Sequence, residues 1–503
     1  MTKLRIHPSE EEFRALAREW PLVPMWAELL ADVSTPVGTF PAVVGDGPGV
    51  LLESVERSER WGRYSFVAGD PAAIVVGDRD GVRLERVARR LPVEPTVPGA
   101  DVLGALKAIA ASLRAPRLPD LPSLTGGLVG YLAYEAAELL DGHPFPAADA
   151  PCPPIGLQVI DRAIVFDHWR QQLLLVAHMP AADDAAYANG ARALTEMAET
   201  VNGATQMTAD PFEPTVVDLD RGTGNMPDER FRDVVRSFKE HILAGDIFQA
   251  VPSRRVTFRA DEGGLAIYRK LRVTNPSPYM FFVRLPEMEL AGSSPEPLVR
   301  VEGRRVLTRP IAGTAARHTD EEADRRAEEE LLADPKERAE HAMLVDLARN
   351  DIGRVCVPGS VTPTELMVVE RFSRVMHIVS TVEGDLREGL TPLDALAVTF
   401  PAGTVTGAPK RRAMELIAEH EPTSRGPYAG AVGYLTFAGD LDFAITIRTA
   451  VAVDGTVHVQ SGGGVVADSD PERELTESRH KAAALLPAIA AAGTPAAAGE
   501  ERA

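Results

Sequence analysis

The order of strand-like and helical segments determines the class of fold that this chain can adopt. Helical spacing of apolar residues occupies 228–244, the acidic segment 320–350 and a segment that begins near Pro409. Strand-like runs lie at 250–258, 279–284, 305–309, 444–453 and 456–460. Because strands repeatedly follow strands, the regular alternation with helices that builds a parallel sheet is missing. We therefore predict an α+β fold with largely antiparallel sheets.

Shifts in composition predict how the chain is divided. Its 503 residues are enough for one large or two medium domains. Residues 206–228 combine Gly, Thr, Pro and Asp with little periodicity, which predicts a linker-like segment between an N-terminal domain, 1–205, and a second domain, 229–487. The Ala-rich residues 488–503 predict a flexible tail.

Charge and cysteine content exclude several classes of protein. The formal net charge of −20 argues against a general nucleic-acid binder, because a negative field repels phosphates. Cys152 and Cys356 are the only cysteines, which excludes a disulfide framework or a zinc site of cysteines and favours a reducing compartment. There is no signal-peptide core and no apolar run of about 18 residues, so we expect a cytoplasmic protein with no membrane segment.

Two acidic pairs give the strongest indication of a metal site. Glu337 with Glu340, and Glu474 with Glu477, have i, i+3 spacing, so on a helix both carboxylates of a pair share one face. Pro335 precedes the first pair, and proline is favoured in a first helical turn. Two such faces brought together would repel unless a cation neutralised them, and oxygen ligands beside an anionic substrate favour Mg²⁺. From spacing alone, two solvated helix faces are the more common explanation.

Two glycine-rich segments could bring the backbone close to a ligand. Residues 403–410 resemble a nucleotide-phosphate loop, but only three residues separate Gly403 from Gly407 and Ala-Pro precedes Lys410, which excludes ATP or GTP binding there. The same turn could present N–H groups to a carboxylate, or it could be an ordinary tight turn. Residues 461–464, Ser-Gly-Gly-Gly, could approach a ligand, although a plain glycine turn is commoner.

Three further side chains lie in settings suited to an anion or a proton. Arg448 belongs to the apolar run 444–450, where a buried guanidinium needs an anionic partner from substrate or protein. Tyr428 follows a turn signal and could donate its hydroxyl to the same anion. His377 lies in the apolar run 375–379, where a histidine is more often a satisfied core residue than a catalyst.

Six collinear blocks resemble the chorismate-utilising enzyme family, and within it the synthase component, component I, of the anthranilate synthases. The blocks are Gly-Asp-Ile-Phe-Gln at 245–249, Gly-Ser-Ser-Pro-Glu at 292–296, Pro-Ile-Ala-Gly-Thr at 310–314, the run 340–351, Gly-Ala-Pro-Lys at 407–410 and the glycines after Ser461. The resemblance implies a β-sandwich-like core of antiparallel sheets with helices packed outside.

The resemblance also implies a site for chorismate, which is a dianion. The implied roles are Mg²⁺ ligands (Glu337, Glu340, Glu474, Glu477), catalytic groups (Glu337, His377, Gln249, Thr404) and further substrate contacts (Gly313, Thr314, Tyr428, Arg448, Gly462, Gly464). In these assignments Mg²⁺ holds the ring carboxylate, whereas Arg448 and Tyr428 hold the enolpyruvyl carboxylate.

Two positions separate members of the family. Members that add water carry a lysine base where this chain has Gln249, and aminodeoxychorismate synthases commonly carry a lysine nucleophile where it has Ala312. The pair resembles the members that add ammonia and release pyruvate, giving anthranilate. Neither cysteine lies in a Gly-x-Cys-x-Gly turn, so we expect ammonia to come from free ammonium or a separate glutamine amidotransferase subunit. The alternatives are an enzyme that forms aminodeoxyisochorismate, isochorismate or salicylate, and a catalytically dead tryptophan sensor.

Two segments resemble the feedback site for tryptophan in this family. The implied residues are Glu53, Ser54, Pro278, Tyr279 and Met280. The carboxylate of the first would meet the amino group, and the aromatic and methionine side chains would pack against the indole. Some tryptophan-sensitive relatives have cysteine where this chain has Ala444.

Overall fold

A computed structural model describes residues 4–32, 34–54, 62–88, 90–93, 100–143, 152–204, 219–259, 263–372 and 375–490. The helices within these ranges are α1 (Glu10–Leu16), α2 (Pro36–Val44), α3 (Val102–Ser112), α4 (Ala136–Asp141), α5 (Ala186–Gly203), α6 (Asp228–Leu243), α7 (Gly263–Thr274), α8 (Glu321–Ala333), α9 (Pro335–Gly353), α10 (Pro392–Thr399), α11 (Lys410–His420), α12 (Pro471–Ala483) and α13 (Leu486–Ala490), with 3₁₀ turns at Leu219–Arg221 and Gly403–Val405.

The strands are β1 (Ile6–His7), β2 (Leu22–Leu30), β3 (Gly49–Glu53), β4 (Tyr64–Gly69), β5 (Ala73–Asp78), β6 (Gly81–Glu85), β7 (Gly127–Leu132), β8 (Ile155–Ile160), β9 (Arg162–Asp167), β10 (Gln172–Pro180), β11 (Thr223–Gly224), β12 (Gln249–Ala250), β13 (Ser253–Arg259), β14 (Tyr279–Leu285), β15 (Met288–Ser294), β16 (Pro297–Glu302), β17 (Arg305–Thr308), β18 (Ile311–Ala316), β19 (Thr362–Arg371), β20 (Val375–Asp385), β21 (Gly407–Ala408), β22 (Ala431–Thr436), β23 (Leu441–Ile445), β24 (Thr449–Val453) and β25 (Thr456–Gly462).

Two large antiparallel sheets form the framework. The first has twelve strands in the order β1-β2-β10-β9-β4-β3-β14-β15-β24-β25-β13-β11. The second has eleven strands, of which ten follow the order β18-β20-β17-β16-β23-β22-β7-β8-β5-β6, while β19 pairs with β20 beside them. A short ladder joins β12 to β21. This architecture confirms the prediction of an α+β fold with antiparallel sheets.

The two sheets face each other, and helices cover their outer faces. Val50 and Phe281 of the twelve-stranded sheet pack with Val129 of the eleven-stranded sheet in one buried cluster. The next residue along β14, Phe282, points to the opposite face and packs in a second cluster with Phe40 of α2. Side chains that alternate between faces are expected of a strand buried on both sides of its sheet. The predicted sandwich-like core with outer helices is therefore confirmed.

Strands from the two halves of the sequence are hydrogen-bonded side by side. In the first sheet β3 pairs with β14, which places Glu53 opposite Met280. In the second sheet β7 pairs with β22, which places Tyr131 opposite Val432. The predicted segments 1–205 and 229–487 thus share both sheets, and their division into two domains stays a prediction. Most of the predicted linker, residues 205–218, lies outside the described residues.

Two sequence predictions about element boundaries need correction. The acidic segment 320–350 is not one helix but two, α8 and α9, which meet at Asp334. Proline disfavours a helical conformation in the residue before it, and Pro335 imposes the break. The predicted strand 444–453 is also interrupted, because β23 and β24 belong to different sheets. Arg448 lies in the crossing between them with a φ of 50°, in the left-handed region.

The first residues of the predicted flexible tail, 488–503, are folded. Ala488 and Ile489 are buried in α13, at 0% and 1% exposure, and pack in the cluster that contains α7. Residues 488–490 are therefore part of the folded core, and 491–503 lie outside the described residues. In the part of the chain that the structure describes, no helix is both long and apolar enough to cross a membrane.

Candidate active site

The acidic pairs lie in the first two turns of α9 and α12, and each helix begins at a proline that follows a capping aspartate. Asp334 Oδ1 accepts hydrogen bonds from the backbone N–H groups of Lys336 and Glu337, at 2.8 and 3.3 Å. Asp470 caps α12 in the same way. Aspartate at the N-cap satisfies helix donors that have no partner within the helix, so both starts are fixed by local sequence.

Electrostatic repulsion acts among the carboxylates of the four predicted metal ligands. Burial raises the pKa of Glu337, and the neighbouring Glu340 carboxylate raises it further. Burial likewise raises the pKa of Glu340, and Glu477 adds to it across the gap between the helices. The pKa of Glu474 is raised first by burial and also by Glu477. The structure therefore brings together the two acidic faces that the sequence predicted.

These carboxylates offer the oxygen donors that Mg²⁺ prefers and lie near one another, but their side chains do not converge on one point. Within the described ranges, no group of three or more His, Cys, Asp or Glu side chains is arranged to hold a metal. Glu477 instead pairs with Lys481, with Oε1 and Nζ 2.7 Å apart. Glu474 Oε2 is buried and receives no hydrogen bond from any described residue, and such an oxygen is available to a cation. Binding of Mg²⁺ would require these side chains to converge.

Gln249 lies beside the acidic faces. Its Nε2 donates to Glu340 Oε1 at 3.4 Å, and its buried Oε1 has no hydrogen-bond partner in the part of the chain that the structure describes. A Cβ on Gly464 would lie only 2.3 Å from Gln249 Nε2, so glycine is needed there for the amide to occupy its position. The glycine run after β25 is therefore more than a plain turn, because it makes room for a polar side chain of the site.

His377 is held by one ring nitrogen. Its Nδ1 lies 3.0 Å from the carbonyl oxygen of Gly313 and 3.0 Å from Thr314 Oγ1. Since a carbonyl only accepts, Nδ1 carries the proton and Nε2 keeps a lone pair. Burial lowers the pKa of His377, which keeps the ring neutral near pH 7. Gly313 has a φ of 63°, and a Cβ there would lie 3.1 Å from Glu337 Oε2. The backbone that accepts the hydrogen bond from His377 therefore lies against the side chain of Glu337.

Arg448 has no ion pair among the described residues. Burial lowers the pKa of its guanidinium, against the opposing effect of Glu296. Tyr428 is buried, and burial raises the pKa of its hydroxyl to about 12. An ion pair within the protein therefore does not account for the partly buried position of Arg448 among the described residues. A guanidinium in this setting without a carboxylate partner is suited to an anionic ligand.

Glu296 is a functional candidate that the sequence analysis missed. It is 8% exposed, Thr404 Oγ1 donates to its Oε1 at 2.9 Å, and burial raises its pKa to about 8. The hydrogen bond from Thr404 and the charges of Arg448 and Lys481 oppose that rise. The residue ends the block 292–296, but the sequence does not reveal that its carboxyl is buried.

Lys481 is a second residue that the sequence analysis missed. Its Nζ donates to the Gly462 carbonyl oxygen at 3.1 Å, and its charge lowers the pKa of both His377 and Glu296. It follows Glu477 by four residues, a spacing that could have indicated the contact. By contrast, the charge of Lys410, in the glycine-rich turn, is paired with Asp351, with Nζ and Oδ2 3.0 Å apart.

The five residues predicted for tryptophan line one cavity of about 250 Å³, here named the Glu53 cavity. Its lining also includes Tyr434, Asp442 and Ala444. Tyr268 donates to Glu53 Oε2 at 2.7 Å, and Arg272 Nε lies 2.8 Å from the same oxygen. The Ser54 hydroxyl is buried and has no hydrogen-bond partner among the described residues. The structure thus places both predicted segments on one cavity, while their role stays a prediction.

A family model described as chorismate binding enzyme matches residues 72–487. The chain belongs to this family. Among curated relatives, anthranilate synthase component 1 of Mycolicibacterium smegmatis is 44% identical over 501 residues, covering 97% of this chain and 94% of the relative. The same-named protein of Streptomyces coelicolor is 45% identical, covering 96% of this chain and 92% of the relative. The resemblance inferred from sequence and the prediction of an enzyme that acts on chorismate are both confirmed.

Solved structures agree with this membership. Anthranilate synthase component I from Streptococcus pneumoniae superposes with a TM-score of 0.72 at 32% identity, covering 91% of this chain and 98% of that one. The menaquinone-specific isochorismate synthase of Escherichia coli gives a TM-score of 0.66 at 19% identity and so shows the fold alone. The shared fold also explains why product identity must be argued from the site.

Proposed function

We propose that this chain converts chorismate and ammonia into anthranilate and pyruvate, as the synthase component of a two-component enzyme. The observation that carries the proposal is Gln249, whose buried Oε1 has no hydrogen-bond partner within the described ranges and can accept an N–H of ammonia. A neutral amide cannot deprotonate water, whereas ammonia attacks without losing a proton first. Its relatives, named anthranilate synthase component 1, support the same assignment.

Two cationic groups would hold the dianion. Arg448, which lacks a protein carboxylate, would pair with the enolpyruvyl carboxylate, and the Tyr428 hydroxyl would donate to it. Mg²⁺ held by Glu337, Glu340, Glu474 and Glu477 would neutralise the ring carboxylate. Lys481, whose charge lowers the pKa of His377 and opposes the rise in the pKa of Glu340, would add positive charge to the site. Holding the ring at both carboxylates fixes the reacting carbons relative to Gln249.

Amination needs an acid for the departing hydroxyl. As the C2–N bond forms, the ring double bonds shift and the C4–O bond breaks, and the hydroxyl leaves as water once protonated. Glu296 is better suited to this role than Glu337, which the family resemblance implies as a catalytic group. A pKa of about 8 keeps the buried carboxyl of Glu296 protonated near pH 7. Thr404 orients it.

Release of pyruvate needs a base. Removal of the proton at C2 aromatises the ring and breaks the C3–O bond, and the departing enolate of pyruvate takes up a proton at its methylene carbon to give pyruvate. His377 is suited to accept the C2 proton at Nε2, because Nδ1 is already committed to Gly313.

The cysteines are consistent with an external source of ammonia. Burial raises the pKa of Cys152 to about 12 and that of Cys356 to about 11, so both remain thiols near pH 7. Thiols are poor nucleophiles for glutamine hydrolysis. We therefore propose that a separate glutamine amidotransferase subunit supplies ammonia.

The Glu53 cavity is proposed as a feedback site for tryptophan. The ammonium group of the ligand would compete with Arg272 for Glu53, and the indole would lie against Tyr279 and Met280. Because β14 carries both of these residues and is paired with the strand of Glu53, binding would act on the sheet that also contains β24, next to Arg448.

Anthranilate fluorescence of the purified chain with chorismate, ammonium and Mg²⁺ tests the proposal. We expect a signal that requires all three and falls when tryptophan is added. Consumption of chorismate without fluorescence would identify a different product, such as isochorismate or aminodeoxyisochorismate, and would refute the assigned chemistry. Glutamine should replace ammonium only after an amidotransferase subunit is added.

A further inference from the structure

A fully buried ion pair lies behind the candidate site. The side chains of Arg425 and Glu421 are 1% and 4% exposed, and Nη2 lies 2.6 Å from Oε1. A second hydrogen bond joins Nε to Oε2 at 2.9 Å, which makes the pair bidentate. Removing two charges from water is costly, so such a pair contributes little to stability by itself. Its other hydrogen bonds indicate which groups it holds in place.

The remaining donors of Arg425 reach the backbone of two other segments. Nη1 donates to the carbonyl oxygen of Val405 at 2.8 Å, and Nη2 donates to that of Val251 at 2.6 Å. Glu421 Oε1 in turn accepts from both the N–H and the hydroxyl of Ser253, at 2.7 and 2.9 Å. One planar guanidinium therefore fixes the distance between the segment 249–253 and the turn 403–406.

Both segments carry residues of the candidate site. Val405 follows Thr404, whose hydroxyl donates to Glu296. Val251 lies two residues after Gln249, on the segment whose ladder with β21 closes against the same turn. The guanidinium also lies 5.6 Å from the ring of Tyr428, within the range of a cation–π contact. The segments that carry Gln249 and Thr404, and the ring of Tyr428, thus all contact one side chain.

We propose that Arg425, held in place by Glu421, is a positioning residue that sets Gln249, Thr404 and Tyr428 at their working separations. This inference rests on the proposed function. Arg425 itself touches neither substrate nor reacting atoms and acts through the three residues that do. A merely structural pair would need only its partner, whereas the arginine uses a five-donor fork that lysine cannot reproduce.

The test is Arg425→Lys, with Arg90→Lys as a matched control. Arg90 also forks onto a buried aspartate, with Nε and Nη2 3.0 and 3.2 Å from the two oxygens of Asp161, but lies outside the candidate site. We expect Arg425→Lys to lower kcat at least about tenfold and to raise KM for ammonium several-fold, because Gln249 is no longer held in its position relative to the substrate. Tryptophan affinity should stay within about twofold, and Arg90→Lys should leave both kinetic constants unchanged.

The outcomes separate the two proposals. A folded Arg425→Lys variant with wild-type kcat and wild-type KM for ammonium would overturn the positioning role. So would a loss confined to the amount of folded enzyme, with unchanged KM. If Arg425→Lys does not fold, Glu421→Gln, which keeps an acceptor for Ser253, is judged by the same criteria. Wild-type enzyme that consumes chorismate without making anthranilate would refute the proposed function, and the variants would then be compared on chorismate consumption.

Discussion

Replacing Glu296 with glutamine should make the protein more stable and the enzyme far less active. Burial raises the pKa of Glu296 from its ordinary value of 4.5 to about 8. Between these pH values the carboxyl is ionised in the unfolded chain but protonated in the folded one. Stability is therefore lost as pH rises from 4.5 towards 8, at about 1.4 kcal/mol for each pH unit. At pH 7 the loss amounts to about 3 kcal/mol, which an uncharged glutamine of the same shape avoids.

The same substitution removes the proton that the departing hydroxyl needs. A general acid contributes about 10²- to 10⁴-fold to rate, so kcat should fall by that factor. In the wild-type enzyme kcat should decline as pH rises above about 8, because Glu296 then loses its proton. That basic limb should be missing from the residual activity of the variant.

Urea unfolding of the Glu296→Gln variant and the wild type at pH 5 and pH 7 gives the measurement. The stability advantage should be about 1 kcal/mol at pH 5 and about 3 kcal/mol at pH 7. Glu388→Gln, an exposed carboxyl after β20, serves as the control and should change neither stability nor kcat. An advantage that does not grow between the two pH values would show that Glu296 is ionised in the folded protein, and the acid role would fail with it.

Three further substitutions test the other parts of the site. Arg448→Ala should lower kcat/KM at least about 10²-fold, on the order of 3 kcal/mol, by leaving a substrate carboxylate unpaired; a loss under about threefold in steady-state assays would remove it from the site. Glu340→Gln should raise the Mg²⁺ concentration for half-maximal rate at least about tenfold, and an unchanged Mg²⁺ titration would refute the ligand assignment. Glu53→Ala should raise the tryptophan concentration for half-inhibition at least about tenfold, since a charged hydrogen bond is worth about 1.4 kcal/mol or more; persistent inhibition would place the effector elsewhere.

Local features of the chain could be predicted because they depend on neighbouring residues. Asp334 and Pro335 define the start of α9, and the alternation across Phe281 and Phe282 follows from the period of a strand. The break between α8 and α9 can also be read from the sequence, because Pro335 interrupts the acidic helical pattern 320–350. The prediction of one helix over 320–350 disregards the effect of that proline on the residue before it.

Other features depend on residues far apart in sequence and could not be predicted locally. Arg448 belongs to an apolar run, but only the position of the two sheets turns that run into a crossing. The raised pKa of Glu296 depends on its burial between β16 and the turn that carries Thr404, more than a hundred residues later. The family resemblance supplied most of the candidate site residues, whereas geometry was needed to rank the two candidate acids.

The pairing of strands across the two halves has a consequence for synthesis on the ribosome. Strand β7 ends at Leu132, and its partner β22 does not begin until Ala431. At 5–20 residues per second, an unpaired edge of β7 would wait roughly 15 to 60 s for its neighbour. Strand β3, which ends at Glu53, likewise awaits β14, which begins at Tyr279. Nascent chains therefore expose apolar strand edges, the surfaces most prone to wrong association, for most of their translation.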